Sequence, residues 1–160
     1  MERINQIMEH PVYRYHMQRI EEAEQNRIFC RHGLEHALDV ARIMYIQVLE
    51  NHISYKKDLI YAAALLHDIG RSEQYERQIP HHEAGAGIAA VILEECGFER
   101  EEIDRITEAI RTHRNETAGE PASLNELLYH ADKLSRNCFA CKAQKECYWE
   151  PEKRNQIIKD

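Results

Sequence analysis

A histidine and an aspartate, His67 and Asp68, stand side by side at the end of the apolar run YAAALL at residues 61–66. A buried polar group is costly unless it finds a partner or holds a metal ion. A lone histidine on an apolar stripe is usually a core residue bonded to a carbonyl group, but several such residues together are less easily explained. Further residues of this kind lie at the ends of other apolar stripes: they are His32, which continues the stripe of His36, Val40 and Ile43, and also His113 and Asp132. Imidazole and carboxylate together suit first-row transition metals, so the pattern indicates a metal site.

The elements that must position these residues are all predicted to be helices. Apolar residues recur at helical spacing, as in the stripe of Ile103, Ile106 and Ile110, and no alternating pattern predicts a β-hairpin. The predicted helices span 11–25, 34–50, 56–69, 82–96, 100–114 and 122–136. The polar segments 71–80 and 115–121 are predicted to be loops. We therefore expect an all-α fold, a single helical bundle with about six main helices.

Composition limits the classes of function. The chain has 160 residues, enough for one domain, and a formal net charge of -7, which argues against a protein that coats nucleic acid. No apolar stretch is long enough to span a bilayer, and the N-terminal MERINQIMEH lacks the apolar core of a signal peptide. We therefore expect a cytoplasmic protein without membrane or nucleic-acid partners.

Five cysteines include three near the C-terminus. Their odd number argues against a disulfide framework. Cys138 and Cys141 have CxxC spacing and Cys147 follows, so the three thiols can share a zinc ion if Cys30 or a histidine such as His130 supplies the fourth ligand. An iron–sulfur cluster is a less favoured variant. The alternative is three reduced thiols that pack without metal, and in both cases we expect the cysteines to serve stability rather than turnover.

A set of ordered motifs resembles the HD-domain metal-dependent phosphohydrolases over roughly residues 30–136. The motifs are RHGLEHALDVARIM, AALLHDIGR, HHEAGAGIAAVIL, IRTH and YHADKLSR. The resemblance implies a helical HD-domain bundle in which His32, His67, Asp68 and Asp132 bind one metal ion. It also divides the chain into an N-terminal helical segment at 1–29, the HD domain at 30–136 and a cysteine-containing tail at 137–160, all within one globular unit.

A two-metal subset of this family has two further histidine ligands between the HD doublet and the last aspartate. His113 matches the second of them. Either His81 or His82 matches the first, and His81 is preferred because Gly85 and Ala86 follow it at the spacing of the small-residue pair in relatives. Asp68 would then bridge the two ions. The pattern is similar to that of small bacterial diadenosine-tetraphosphate hydrolases.

The resemblance implies a phosphohydrolase in which Asp68 is catalytic and a metal-activated hydroxide attacks a nucleotide or another small phosphate ester. One or two divalent ions are expected, with iron or manganese preferred over cobalt, nickel or zinc. Arg71 and Lys133 would contact the substrate phosphate, and otherwise they are solvated surface cations. The type of phosphate ester hydrolysed stays open, as does the oligomeric state, for which a homodimer is one option.

Two alternatives belong to other functional classes. The first is a non-catalytic sensor that keeps the HD pocket in order to bind a nucleotide. The second is a di-iron oxygenase, since a few HD proteins activate O₂. The full set of six ligands favours an enzyme over a sensor, because a sensor has no need of all of them.

Overall fold

The computed structural model describes residues 1–115 and 122–158. Over these ranges the chain forms α-helices and two short 3-10 helices, with no strand, so the predicted all-α class is confirmed. The α-helices are α1 (Glu2–Glu9), α2 (Pro11–Glu24), α3 (Leu34–Glu50), α4 (Lys57–Leu66), α5 (Arg71–Arg77), α6 (His81–Glu95), α7 (Arg100–Thr112) and α8 (Leu124–Leu134). The 3-10 helices span Cys138–Ala140 and Pro151–Lys153.

Two helices, α1 and α5, have no counterpart among the six predicted segments, which correspond to the other α-helices. The segment 71–80, predicted to be a loop, contains α5. Its Ser72 is buried, and the Ser72 hydroxyl lies 2.7 Å from His16 Nδ1 on α2. Packing against α2 and α6 therefore stabilises a short polar helix that would be marginal alone. Most of the second predicted loop, 115–121, lies outside the described residues.

Helix α4 lies at the centre of the bundle and presents the HD residues at its C-terminal end. Its side chains from Leu59 onward are almost all buried, and α1, α3, α7 and α8 pack around it. Leu65 and Leu66 are 2% and 0% exposed, and burying such a leucine contributes about 1.5–3 kcal/mol. Although α4 is apolar on every side, neither it nor any other helix in the described ranges has the length and apolar character needed to cross a membrane.

The N-terminal helix is tied to the core by Arg3. Its guanidinium donates to Asp58 at 2.5 Å, at the start of α4, and to Glu102 at 2.6 Å, in the first turn of α7. Ile4 and Ile7 on the same helix are buried in the core shared with α2 and α4. The first two helices thus pack onto the bundle that carries the candidate ligands.

Candidate metal centre

The His67–Asp68 pair lies in the turn between α4 and α5. Helix α4 ends at Leu66, and both polar side chains that follow are buried. His67 Nδ1 donates to the Ala64 carbonyl at 2.7 Å, which directs its Nε2 atom away from the helix. Histidines that bind a metal through Nε2 typically have Nδ1 fixed in this way by a hydrogen bond.

Gly70 sets how closely this turn approaches α6. Its φ of -74° is one that any residue adopts, so glycine is not required here for backbone conformation. A Cβ atom at Gly70 would lie 2.1 Å from the His81 carbonyl oxygen and 2.4 Å from the Gly85 nitrogen. Glycine is needed because the two backbones touch, and this contact brings the HD turn beside the start of α6.

The first group of candidate ligands consists of His36, His67 and Asp132, whose ligand atoms all lie within 4.8 Å of one another. His36 belongs to the first turn of α3, and Asp132 to the last turn of α8. His36 Nε2 lies 3.5 Å from Asp132 Oδ1 and 3.7 Å from Asp68 Oδ2. Three separate elements therefore converge on one point, as a metal ion requires.

The second group consists of Asp68, His81 and His113, all of them buried. His81 opens α6, and His113 directly follows α7. His81 Nε2 lies 3.5 Å from Asp68 Oδ1 and 3.3 Å from His113 Nε2. The structure thus brings the predicted residues His81 and His113 together with Asp68, whereas His82 belongs to neither group.

Asp68 faces both groups, with a different oxygen toward each. Its Oδ2 atom lies 3.2 Å from His67 Nε2, and its Oδ1 atom lies 3.5 Å from His81 Nε2 and 4.0 Å from His113 Nε2. Both oxygens are buried and make no hydrogen bond of good geometry, although Arg71 Nε lies 2.9 Å from Oδ1. A carboxylate that turns one oxygen to each ligand group has the arrangement of a bridging ligand between two ions.

In the second ligand group, hydrogen bonds hold the ring protons of His81 and His113 on Nδ1 and leave the facing Nε2 atoms without protons. Nδ1 of His81 donates to Gln74 Oε1 at 2.6 Å, and Nδ1 of His113 donates to the Ile110 carbonyl at 2.6 Å. In a neutral ring the remaining Nε2 is only an acceptor, so these two atoms cannot bond to each other across 3.3 Å. A cation between them would replace this repulsion by attraction. The donor set therefore fits a transition-metal ion.

Burial keeps three of the candidate histidine ligands neutral. It lowers the pKa of His36 to about 4, that of His81 to about 3 and that of His113 to about 4. The neighbouring His67 lowers the pKa of His36 and His113 further. Neutral imidazole is the form that binds metal, so these rings can act as ligands without losing a proton first.

The carboxylates remain ionised. Burial raises the pKa of Asp68, but His67 and Arg71 outweigh burial and hold it well below its usual range. Burial also raises the pKa of Asp132, while Lys133 and His67 lower it below the ordinary value. For His67, burial lowers the pKa, and the Asp68 carboxylate raises it above the ordinary value. Two buried carboxylates among largely neutral rings attract positive charge.

Arg71 and Lys133, the two cations expected to contact a substrate phosphate, flank the two aspartates at the edge of an open cleft of about 1700 Å³. Arg71 Nε lies 2.9 Å from Asp68 Oδ1, and Lys133 Nζ lies 2.5 Å from Asp132 Oδ2. Arg136 also approaches Asp132, at 3.7 Å. All three cations line the cleft, so they are in a position to meet a ligand that reaches the two groups.

His32, the first predicted ligand, lies outside both groups. Its backbone N–H donates to Glu24 Oε2 at 2.7 Å, and its Nδ1 lies 2.5 Å from Glu24 Oε1. Glu24 also accepts a hydrogen bond from the Tyr75 hydroxyl. Burial raises the pKa of Glu24, but its bonds to His32 and Tyr75 outweigh burial and lower it to about 2. The His32 ring contacts that of His36 edge to face at 5.7 Å between centroids. His36, and not His32, belongs to the first ligand group.

The sequence carries a signal for His36. Gly33 caps the N-terminus of α3, so His32 precedes the helix and its ring direction is not set by helical spacing. His36 lies one turn before Val40 and two turns before Met44, both of which are fully buried. Placing the helix start at Gly33 therefore selects His36 as the inward-facing residue.

The cysteines are separate from these ligands. Among the described residues, neither candidate group contains a cysteine. Cys96 is buried at the end of α6, whereas Cys30 is exposed and Cys138, Cys141 and Cys147 are partly exposed.

Comparison with known proteins gives a family match and one relative. The model of the HD domain matches residues 33–137, a range that contains every residue of both candidate ligand groups. The chain is also similar to an uncharacterized protein of Clostridium beijerinckii, with 42% identity over 155 residues, which is 97% of each chain. No solved structure matches the chain.

Proposed function

The chain belongs to the HD-domain family, and from this premise we propose that it is a metal-dependent phosphohydrolase acting on a small phosphorylated substrate. The observation that carries the proposal is the pair of ligand groups joined by Asp68. In this proposal one ion is held by His36, His67, Asp68 and Asp132. A second ion is held by Asp68, His81 and His113.

In the proposed reaction, the main task of the chain is to position the ions and the substrate. When bound, divalent ions would lower the pKa of water to supply a nucleophile and would neutralise charge on the reacting phosphoryl group. The chain orients the ligand rings by hydrogen bonds from Nδ1, which His67 donates to the Ala64 carbonyl and His113 donates to the Ile110 carbonyl. Asp68, held ionised in the buried turn, fixes the relation between the two halves of the centre.

Arg71 and Lys133 are proposed to bind the phosphate of the substrate. Each contacts a ligand carboxylate on one side, and the side chains remain 21% and 30% exposed toward the cleft. Charge-assisted hydrogen bonds from such groups to phosphate oxygens are strong. This local positive charge would let a protein with a net charge of -7 accept an anionic substrate.

A nucleotide is the proposed substrate class. The cleft is much larger than an inorganic phosphate, and the rings of Tyr129, Tyr148 and Trp149 line it together with the cations. Aromatic rings bind nucleobases by stacking. The resemblance to diadenosine-tetraphosphate hydrolases makes dinucleoside polyphosphates the first compounds to assay.

The test uses protein purified without oxygen and loaded with manganese, iron, cobalt or nickel. Diadenosine tetraphosphate, nucleoside phosphates and p-nitrophenyl phosphate are assayed for phosphate release. We expect metal-dependent turnover that Asp68→Ala abolishes and that Asp104→Ala, at an exposed position on α7, leaves intact. Nucleotide binding without turnover under any metal would support the sensor instead. Substrate-dependent O₂ uptake without phosphate release would support the oxygenase.

A further inference from the structure

Four of the five cysteines open into the same cleft, although they come from two distant segments. Cys30 lies in the connection between α2 and α3, before the first ligand helix. The other three, Cys138, Cys141 and Cys147, lie in the segment that follows α8. All four line the cleft, whereas Cys96 does not. The arrangement therefore singles out four thiols that the His/Asp centre does not use.

The tail that carries three of these thiols is held mainly through its backbone. The Arg154 guanidinium donates to three tail carbonyls, those of Gln144, Cys147 and Trp149, at 3.0, 3.0 and 2.6 Å. The buried Asn155 side chain donates to the carbonyls of Lys133, Leu134 and Arg136. These bonds return the end of the tail to the end of α8, so the cysteine segment forms a closed loop.

This loop has little apolar burial to stabilise it. Among the described residues after Ser135, Ala143 is the only buried hydrophobic side chain. Fixing the backbone of one residue costs about 1–2 kcal/mol of conformational entropy, which one buried alanine cannot offset over such a segment. A cross-link between the tail and the rest of the chain would supply the missing stabilisation.

The loop around Cys30 contacts the tail beside Cys147. The ring of Phe29, next to Cys30, meets that of Tyr148, next to Cys147, edge to face at 5.6 Å between centroids. On the tail side, Gln144 Nε2 donates to the Cys138 carbonyl at 2.6 Å. The two cysteine-bearing segments are thus in contact through these rings.

We propose that Cys30, Cys138, Cys141 and Cys147 bind a thiophilic metal centre, a zinc ion or an iron–sulfur cluster, that is distinct from the His/Asp centre. Four cysteines are the usual ligand set of both. Zinc would displace the thiol protons to solvent, and a cluster would be assembled from supplied iron and sulfide.

The spacing of the sulfur atoms bears on which centre forms. A single zinc ion with bonds of about 2.3 Å needs its four sulfur atoms within about 4 Å of one another. In the described chain no three of these thiols lie within 4.8 Å of one another, so the sulfur atoms would have to move closer together to bind one zinc ion. A cluster of several atoms spans a greater distance between its ligands. In both cases the centre would link the loop before α3 to the tail across the cleft.

The test separates the two centres with the Asp68→Ala variant, which is expected to empty the His/Asp site while the thiols stay intact. Protein purified anaerobically is analysed for zinc, iron and acid-labile sulfide, and the apoprotein is titrated with Co²⁺. We expect close to one zinc ion per chain, or iron with an equal amount of sulfide and visible absorption from a cluster. Bound Co²⁺ should give the intense sulfur-to-metal charge-transfer bands that His/Asp ligation does not give.

Matched cysteine variants assign the ligands. Cys30→Ser and Cys138→Ser should each lose the metal and the charge-transfer bands, while Cys96→Ser keeps both. Retention of the full signal in Cys30→Ser would exclude Cys30 and overturn the four-thiol site. Absence of zinc, cluster iron and charge-transfer bands from the Asp68→Ala protein would overturn the site altogether, with no bearing on phosphate hydrolysis.

Stability supplies an independent readout. Replacing Cys138, Cys141 and Cys147 together with serine should lower the melting temperature and leave the rate per folded molecule nearly unchanged, because a metal bound only by the folded form adds stability. A triple variant that melts normally would contradict the proposed cross-link. If that variant also loses activity, the thiols belong to the catalytic site or to a redox switch.

Discussion

The Asp68 Oδ1 atom lies 3.5 Å from His81 Nε2, although one residue follows α4 and the other opens α6. The short helix α5 alone separates them along the chain. The other Asp68 oxygen faces His67 and His36. One buried side chain therefore touches both halves of the centre, and its removal should affect both.

Replacing Asp68 with alanine should remove both ions and reduce hydrolysis by more than about a hundredfold, beyond the usual effect of changing a residue that only supports a ligand. Metal content by mass spectrometry and phosphate release are the measurements. A variant that kept full metal occupancy and rate would show that the ligand groups are not the catalytic centre.

His36 and His32 form a matched pair. His36→Ala should lose the ion of the first group, because His36 Nε2 is the third donor beside His67 and Asp132. His32→Ala should keep the metal, since His32 lies outside both ligand groups. The metal bound per chain after dialysis distinguishes the two. The reverse result would restore His32 as the ligand that the family resemblance implies.

A second ion should depend on His81 and His113 but not on His82. Crystals grown with excess manganese should show two anomalous peaks for the native chain and for His82→Ala. One peak should remain for His113→Ala, because that change removes one of the two facing Nε2 atoms. A single peak in the native protein would leave a mononuclear enzyme and give His113 a structural role.

Two glycines, Gly70 before α5 and Gly87 within α6, should respond in opposite ways to replacement by alanine. Gly70→Ala places a Cβ atom against the His81 carbonyl and should destabilise the fold by at least about 2 kcal/mol, the scale of overpacking in a core. Gly87→Ala meets no atom within 4 Å, and it should stabilise α6 by roughly 0.5–1 kcal/mol. Urea denaturation of both variants is the measurement. Equal stabilities would contradict the close backbone contact.

The Arg3–Glu102 pair should make stability depend on acid pH. The hydrogen bond from Arg3 is the largest factor that lowers the pKa of Glu102 to about 2, from 4.5. A lowered acid pKa stabilises the fold above pH about 4.5, and this stability is lost as the pH falls toward 2. Glu102→Gln should therefore lower stability at pH 7 and flatten its pH dependence over this window. Glu101→Gln, an exposed neighbour, is the control, and identical pH profiles for the two variants would exclude the effect.

The fold was largely predictable because the longer helices have clear apolar stripes. Helix α5 was not, since its residues are polar and its support comes from α2 and α6. His81 and His113 could be selected from spacing, and the structure places both beside Asp68. The first ligand was assigned to His32 through the family resemblance, although the predicted start of α3 at residue 34 leaves His32 before the helix and His36 within it. His32 is instead held by Glu24, a buried carboxylate on another helix that accepts the His32 N–H, and no local pattern reveals this contact.

The contact between Gly70 and Gly85 has a consequence for how the protein folds. It joins the HD turn to α6 within one short stretch of chain, so Asp68 and His81 can meet through local contacts, which generally form fast. The contacts of His36, His113 and Asp132 with this pair join helices that are distant along the chain, and forming each of them closes a long loop. A metal ion captured early by the local pair would gain ligands as the bundle assembles, and its binding energy would then favour the native arrangement over other compact states.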